Sequence, residues 1–307
     1  MKIIVTGANG FVGSHLLKTL SDNGEHVIAV VRNEHERIEN IKDIPGVNII
    51  YCELDDIENL SALIGNEDID CCIHLAWEGA NGSARANTDI QLNNVKRTLR
   101  LCKTLSEIGV RRFVGIGTLA EKDVNNYIPT DGATPNPVSC YGTAKLATQY
   151  MSKAVCTELK IEHIWCQLSN LYGVGDGTNN FINFASKLML TGGRPAFTPG
   201  EQMYDFVYIT DIANGIYRAA KYGKNNTAYY IGSGHQQKLK EYIFKIRDTI
   251  DPSIELYLGE IPFNGVCLAD EEFDSSKLIN DTGYQAEVLF EEGIQKTITW
   301  LKTQMEN

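Results

Sequence analysis

The chain has 307 residues, 43% of them hydrophobic, enough for one large domain or two smaller ones that share an interface. A formal net charge of −11 excludes nucleic-acid binding through a broad basic surface. No apolar run approaches the roughly 18 residues of a membrane span, and the first residues lack the pattern of a secretory signal. A soluble cytoplasmic protein with no membrane partner is therefore expected. The eight cysteines include no C-x-x-C pair and the six histidines are scattered, so no metal site is expected.

The first element is a strand at Lys2–Thr6, followed by Gly7, Gly10 and Gly13 spaced three apart and by Val12, Leu16, Leu17 and Leu20 at helical spacing. A strand, a glycine loop and a helix start in succession can bring backbone N–H groups and a helix N-terminus against a pyrophosphate. Gly7, Asn9, Gly10, Phe11 and Val12 are the expected contacts.

Strands are predicted next at His26–Val31, Val47–Tyr51, 70–75, 112–116 and 163–168, with amphipathic helices over 11–20, 57–64, 87–108 and 141–159. The alternation implies a parallel sheet covered by helices on both faces, a doubly wound α/β fold of the Rossmann type. At the end of the second strand, Arg32 would accommodate a 2′-phosphate and so favours NADP(H), with NAD(H) possible. The same arginine also fits a side chain that merely snorkels at a strand end, and Glu34 and Glu36 weaken a positive site. After the third strand, Glu53 and Leu54 are candidates for the adenine, while Asp55 or Asp56 fits a helix N-cap equally well. After the fourth, Leu75, Ala76 and Trp77 are expected beside the nicotinamide ribose, and His74 reads as a core residue.

Thr118 is placed at the end of the fifth strand. Tyr141 and Lys145, four apart, share a helix face. A phenol with an ordinary pKa of about 10 is a weak acid–base group near neutrality, and an adjacent ammonium is expected to lower it. Such a pair can move a proton to or from a carbinol oxygen. Beyond residue 168 the alternation gives way to glycine-rich loops and short elements, closed by a helix over 289–303. This divides the chain into a dinucleotide-binding part, 1–168, and a smaller C-terminal α/β substrate lobe, 169–307, with segments around 204–235 packing back onto the first.

These features, with Asn94, Asn170-Leu171-Tyr172-Gly173, Asp205-Phe206-Val207-Tyr208 and the closing Trp300, resemble the extended short-chain dehydrogenase/reductase family of nucleotide-sugar epimerases, dehydratases and reductases. The resemblance implies that Thr118 and Tyr141 bind the reacting oxygen and that Lys145 holds the nicotinamide ribose. It also implies that Asn94 lies by the cofactor and that Asn170 meets the nucleotide sugar. Where family dehydratases look like T-D-E, this chain has Thr118-Leu119-Ala120-Glu121, which argues against dehydration. Glu121 and Glu78 either line the substrate site or are solvated loop charges. Where the family often carries arginine for the diphosphate, Gln167 and Tyr204 stand here, with Lys187, Arg194 or Lys238 as possible substitutes.

The G-T-x-x-E pattern looks similar to reductases making CDP- or dTDP-linked deoxysugars. The expectation is an NADP(H)-dependent reductase of a nucleotide-linked 4-keto-6-deoxy sugar with Tyr141 as general acid. An NAD-dependent 4-epimerase is the near alternative, and a non-catalytic NADP(H) sensor a more distant one. Specificity is expected from loops at 77–85, 173–184 and 260–267. By resemblance, the two long helices pair in a homodimer, with Leu92, Val95, Leu99 and Cys102 as an apolar stripe.

Overall fold

The computed structural model describes residues 1–306. The chain order is β1 (Lys2–Thr6), α1 (Phe11–Asp22), β2 (His26–Val31), β3 (Val47–Tyr51), α2 (Leu60–Ile64), β4 (Cys71–His74), α3 (Thr88–Ile108), β5 (Arg112–Thr118), α4 (Ala120–Tyr127), α5 (Ser139–Glu158) and β6 (Glu162–Leu168). The elements then shorten: β7 (Asn170–Tyr172), α6 (Phe181–Leu190), β8 (Ala196–Phe197), β9 (Met203–Tyr204), β10 (Phe206–Tyr208), α7 (Ile209–Tyr222) and β11 (Thr227–Ile231). The last are β12 (Gln237–Lys238), α8 (Leu239–Ile250), β13 (Tyr257–Leu258), α9 (Ser276–Thr282) and α10 (Phe290–Glu306). Among the described residues no helix is long and apolar enough to cross a membrane.

Seven strands form one parallel sheet in the order β11-β6-β5-β4-β1-β2-β3. Successive side chains on a strand point to opposite faces, and the core divides accordingly. Ile3, Val5, Ala29 and Val31 face one side with Leu16 and Leu17 of α1 and Ile212 and Ile216 of α7. Ile4, Ile28, Val30 and Cys72 face the other with Leu101, Cys102 and Leu105 of α3 and Cys156 of α5. Apolar residues on both sides of each strand are what helices on both faces require. The doubly wound α/β fold follows from that requirement.

The chain reverses its direction of travel across the sheet between β1 and β4, whose carboxyl ends lie side by side with Thr6 opposite His74. Such a switch point leaves a crevice above the sheet, where ligands of open α/β folds bind. Two details differ from expectation. The helix expected over 57–64 is a 3₁₀ turn, Leu54–Asn59, kinked at Asp56, followed by the short α2. The sheet also has a seventh strand, β11, whose residues Thr227 to Ile231 pair with Ile164 to Leu168 of β6.

Candidate active site

The glycine loop begins at the carboxyl end of β1. Gly7 has φ +67°, and a Cβ there would lie 2.7 Å from the backbone nitrogen of Ala76. Only glycine lets the loop after β1 close against the segment after β4. Gly10 is the N-cap of α1 and supplies no side-chain cap, which leaves the first helical N–H groups without an intrahelical partner. A Cβ on Gly10 would meet the Gly7 carbonyl oxygen at 3.3 Å, a tight contact, and Gly10 otherwise lines a cavity above it. An uncapped helix start under a cavity is the donor set that a pyrophosphate needs, and these residues fit a dinucleotide.

Above the loop lies a cavity of about 720 Å³, lined on one side by Gly7, Gly10, Phe11, Val12 and Leu75 and on the other by Trp77, Thr118, Tyr141, Lys145, Asn170 and Tyr204. The cavity also takes in residues from all three loops expected to set specificity, among them Asn81, Asn180 and Val266. Arg32, Glu53 and Leu54 stand outside this cavity, at the ends of β2 and β3. Arg32 is exposed and lies 3.6 Å from Glu36, and Glu53 accepts a hydrogen bond from Asn33 at 3.3 Å. Asn9 donates to the carbonyl of Arg37 and its own carbonyl accepts from Asn40, which ties the glycine loop to the segment after β2.

Thr118 ends β5, and Tyr141 and Lys145 lie one turn apart on α5. The approach of α5 to α4 depends on Gly142, where a Cβ would lie 2.6 Å from the carbonyl oxygen of Ala120. Lys145 is buried; its Nζ donates to the carbonyl of Ile116 at 2.7 Å and lies 3.8 Å from the centre of the Trp77 ring. Burial pushes the Lys145 ammonium down to about 7, against the opposing pull of the Glu121 carboxylate. Tyr141 is pushed the other way, up to about 12, again chiefly by burial. The expectation that Lys145 would lower the Tyr141 phenol is therefore corrected. The ammonium is engaged by Ile116 and Trp77, and the groups that favour the phenolate are the Arg85 guanidinium and a hydrogen bond with Thr118. Arg85 sits over the Tyr141 ring, 4.7 Å from its centre.

His74 is buried as expected, between Thr6 Oγ1 at 2.7 Å and Thr98 Oγ1 at 3.0 Å. Glu121 is neither a solvated charge nor a substrate contact. It is wholly buried beneath the cavity and accepts from Thr118 N at 2.9 Å, Trp165 Nε1 at 3.0 Å and Gln167 Nε2 at 2.8 Å. Glu78 also does not reach the cavity; its exposed carboxylate pairs with Arg97 at 2.9 Å. Asn94 is buried with its amide spent on the backbone of Glu78, accepting from N and donating to O, so it orders the loop after β4 in place of touching a cofactor. Arg194 pairs with Glu260 and Lys238 with Glu201, both at the surface, and neither these nor Lys187 lines the cavity.

Among the cavity residues to which the sequence assigned no individual role are Arg85 and Asp123, and the buried Gln91 that orders the loop carrying Arg85 was passed over as well. Gln91 accepts from Trp77 Nε1 at 2.9 Å and donates to the carbonyls of Gly79 and Ala84. Arg85 closes the loop flagged as specificity-determining, and Asp123 follows Thr118 by little more than one helical turn. Those positions were the available signals.

The model of the NAD dependent epimerase/dehydratase family matches residues 3–232. A CDP-abequose synthase of Salmonella typhimurium is 29% identical over 81% of this chain and 81% of its own length. A dTDP-6-deoxy-L-talose 4-dehydrogenase (NAD(+)) of Aggregatibacter actinomycetemcomitans is 28% identical over 69% of this chain and 77% of its own. Among solved structures, a UDP-glucose 4-epimerase of Thermotoga maritima, crystallised with UDP-glucose, shares the fold with a TM-score of 0.79 at 23% identity, covering 99% of this chain and all of that one. The glycine cradle, the Tyr141–Lys145 helix and the family match agree: the chain belongs to the NAD dependent epimerase/dehydratase family of enzymes.

Proposed function

We propose that this enzyme reduces the 4-keto group of a nucleotide-linked 6-deoxy sugar. The observation that carries the reading is the placement of Tyr141: it faces the cavity beside Thr118 and across from the glycine loop, where its phenol can give a proton to a bound carbonyl oxygen. A nicotinamide dinucleotide, with its pyrophosphate held at the Gly7–Gly10 cradle, would supply the hydride to C4 when bound. Thr118 and Tyr141 hold the carbonyl oxygen, and Tyr141 gives its proton to that oxygen as the C–O bond becomes single. Arg85 stabilises the phenolate that remains until solvent restores the proton. Lys145, held by Ile116, presents its charge to the cofactor ribose. The relative named as a 4-dehydrogenase of a 6-deoxy nucleotide sugar supports the choice of carbon and substrate class.

The reading of the cofactor changes with the geometry around Arg32. Its guanidinium is partly answered by Glu36, and both the family and that relative are named for NAD. NAD(H) is therefore proposed ahead of NADP(H). The division into a cofactor part, 1–168, and a substrate lobe, 169–307, belongs to the same proposal, as does a homodimer through α3 and α5.

A 4-epimerase would use the same Thr118, Tyr141 and Lys145, and the shared fold with a UDP-glucose 4-epimerase keeps that reading beside the first. Stoichiometry separates them. With CDP-, dTDP-, UDP- and GDP-linked 4-keto sugars, one NADH or NADPH should be consumed per sugar reduced, read as loss of nicotinamide absorbance. Conversion of a 4-hydroxy sugar to its C4 epimer with no net cofactor loss would replace the reductase reading with the epimerase one.

A further inference from the structure

Two side chains of opposite charge line the cavity that holds Tyr141. Arg85, from the 3₁₀ turn Gly82–Ala86, has an Nε closed off from solvent with no hydrogen-bond partner among the described residues. Asp123, in the first turn of α4, is near enough for the Arg85 charge to act on its carboxyl, and its own charge acts on Tyr204. Yet neither charge closes a salt bridge among the described residues, and both side chains are half-buried at the cavity wall, so both are available to a ligand that enters it.

The position of Arg85 says which part of the ligand does so. Its guanidinium stands on the Tyr141 ring, 4.7 Å from the centre, so in the proposed reaction the group that meets Arg85 and Asp123 is the sugar ring. A sugar hydroxyl can accept from a guanidinium and donate to a carboxylate. A glycuronosyl carboxylate would satisfy Arg85 but confront Asp123, and an aminoglycosyl ammonium would do the reverse. We infer that Arg85 and Asp123 form a charge-balanced specificity pair that selects a neutral, hydroxylated glycosyl group over a uronate or an amino sugar. The inference rests on the nucleotide-sugar reading above and deepens it.

Calorimetric titration of the NAD-loaded protein with UDP-glucose and UDP-glucuronate, and with the dTDP-linked pair, tests it. Wild type should prefer the neutral member by about tenfold or more. Asp123→Asn should shrink that preference by about tenfold, by admitting the uronate, and Arg85→Gln should enlarge it. Arg85→Lys, which keeps the charge, should leave the preference close to wild type and shows whether charge or shape decides. A neutral-to-uronate ratio unchanged within about twofold in Asp123→Asn and Arg85→Gln, both still binding, overturns the specificity pair and leaves the nucleotide-sugar reading standing. Absence of binding by any nucleotide sugar to wild type overturns both.

Discussion

At Tyr141 two effects oppose each other. Burial holds the phenol protonated, while Arg85 and Thr118 ease its ionisation. A Tyr141→Phe variant keeps the ring against Trp77, whose centre lies 6.2 Å away, and removes only the proton donor. Its kcat should fall by about 10²–10⁴ with NADH affinity within twofold of wild type, measured by fluorescence titration. Glu121 works one layer deeper, holding the backbone of Thr118 and supplying the negative charge that keeps Lys145 from losing its proton at still lower pH. In Glu121→Gln the pull that raises the Lys145 pKa is gone, so deprotonation moves below about 7. The alkaline limb of both NADH affinity and kcat should shift toward acid relative to wild type. A variant that merely loosens the site would lower activity at every pH and leave the limb in place.

The glycine loop separates folding from binding within one element. Gly7 has positive φ and abuts Ala76, so Gly7→Ala should cost about 1–3 kcal/mol of stability and weaken the cofactor as well. Gly10 has an ordinary backbone and a single close contact, 3.3 Å to the Gly7 carbonyl oxygen, so Gly10→Ala should lower the melting temperature clearly less than Gly7→Ala while still losing cofactor affinity. Equal losses of melting temperature in the two would remove the distinction. This loop was readable because its requirements are local: a strand, a positive-φ turn and a helix start within a few residues. Tyr141 and Lys145 were readable for the same reason, since helical spacing places them. Glu121 was not, because its burial depends on Trp165 and Gln167, which arrive from β6 more than forty residues later. Nor was β11, whose tyrosines look polar in the chain and become strand residues only once Tyr229 finds Asp281 and Tyr230 finds Asp205.

One core on the α1 side of the sheet runs from Ile3 to Ile298, so segments beyond residue 168 stabilise the first strands and α1 directly. Glu25, buried just before β2, accepts from Tyr217 at 3.0 Å and Lys221 at 2.9 Å on α7 and pairs with the Met1 amino group. These partners hold its carboxyl below the usual range despite burial. That contribution is present above the unfolded carboxylate pKa and is lost as pH falls through the lower folded one. Glu25→Gln should therefore lower the melting temperature at pH 7 and lose less than wild type on acidification through that window. The proposed homodimer is tested at the scale of the whole molecule. Of the expected stripe, Val95 and Cys102 turn into the molecule and Leu99 is half-buried, while Leu92 on α3 stays exposed together with Tyr150 and Met151 on α5. Helices that cover a sheet need an inner apolar stripe in any case; it is the outer residues that argue for a partner. A stable dimer needs roughly 1,000 Å² or more of buried surface with an apolar centre, which two long helices from each copy can supply. Placing charge at that centre, as Leu92→Glu with Met151→Glu, should convert a dimer to a folded monomer in sedimentation velocity with the circular dichroism spectrum unchanged. A wild type that sediments as a monomer at micromolar concentration, or a double variant that still dimerises, would move the interface elsewhere or remove it.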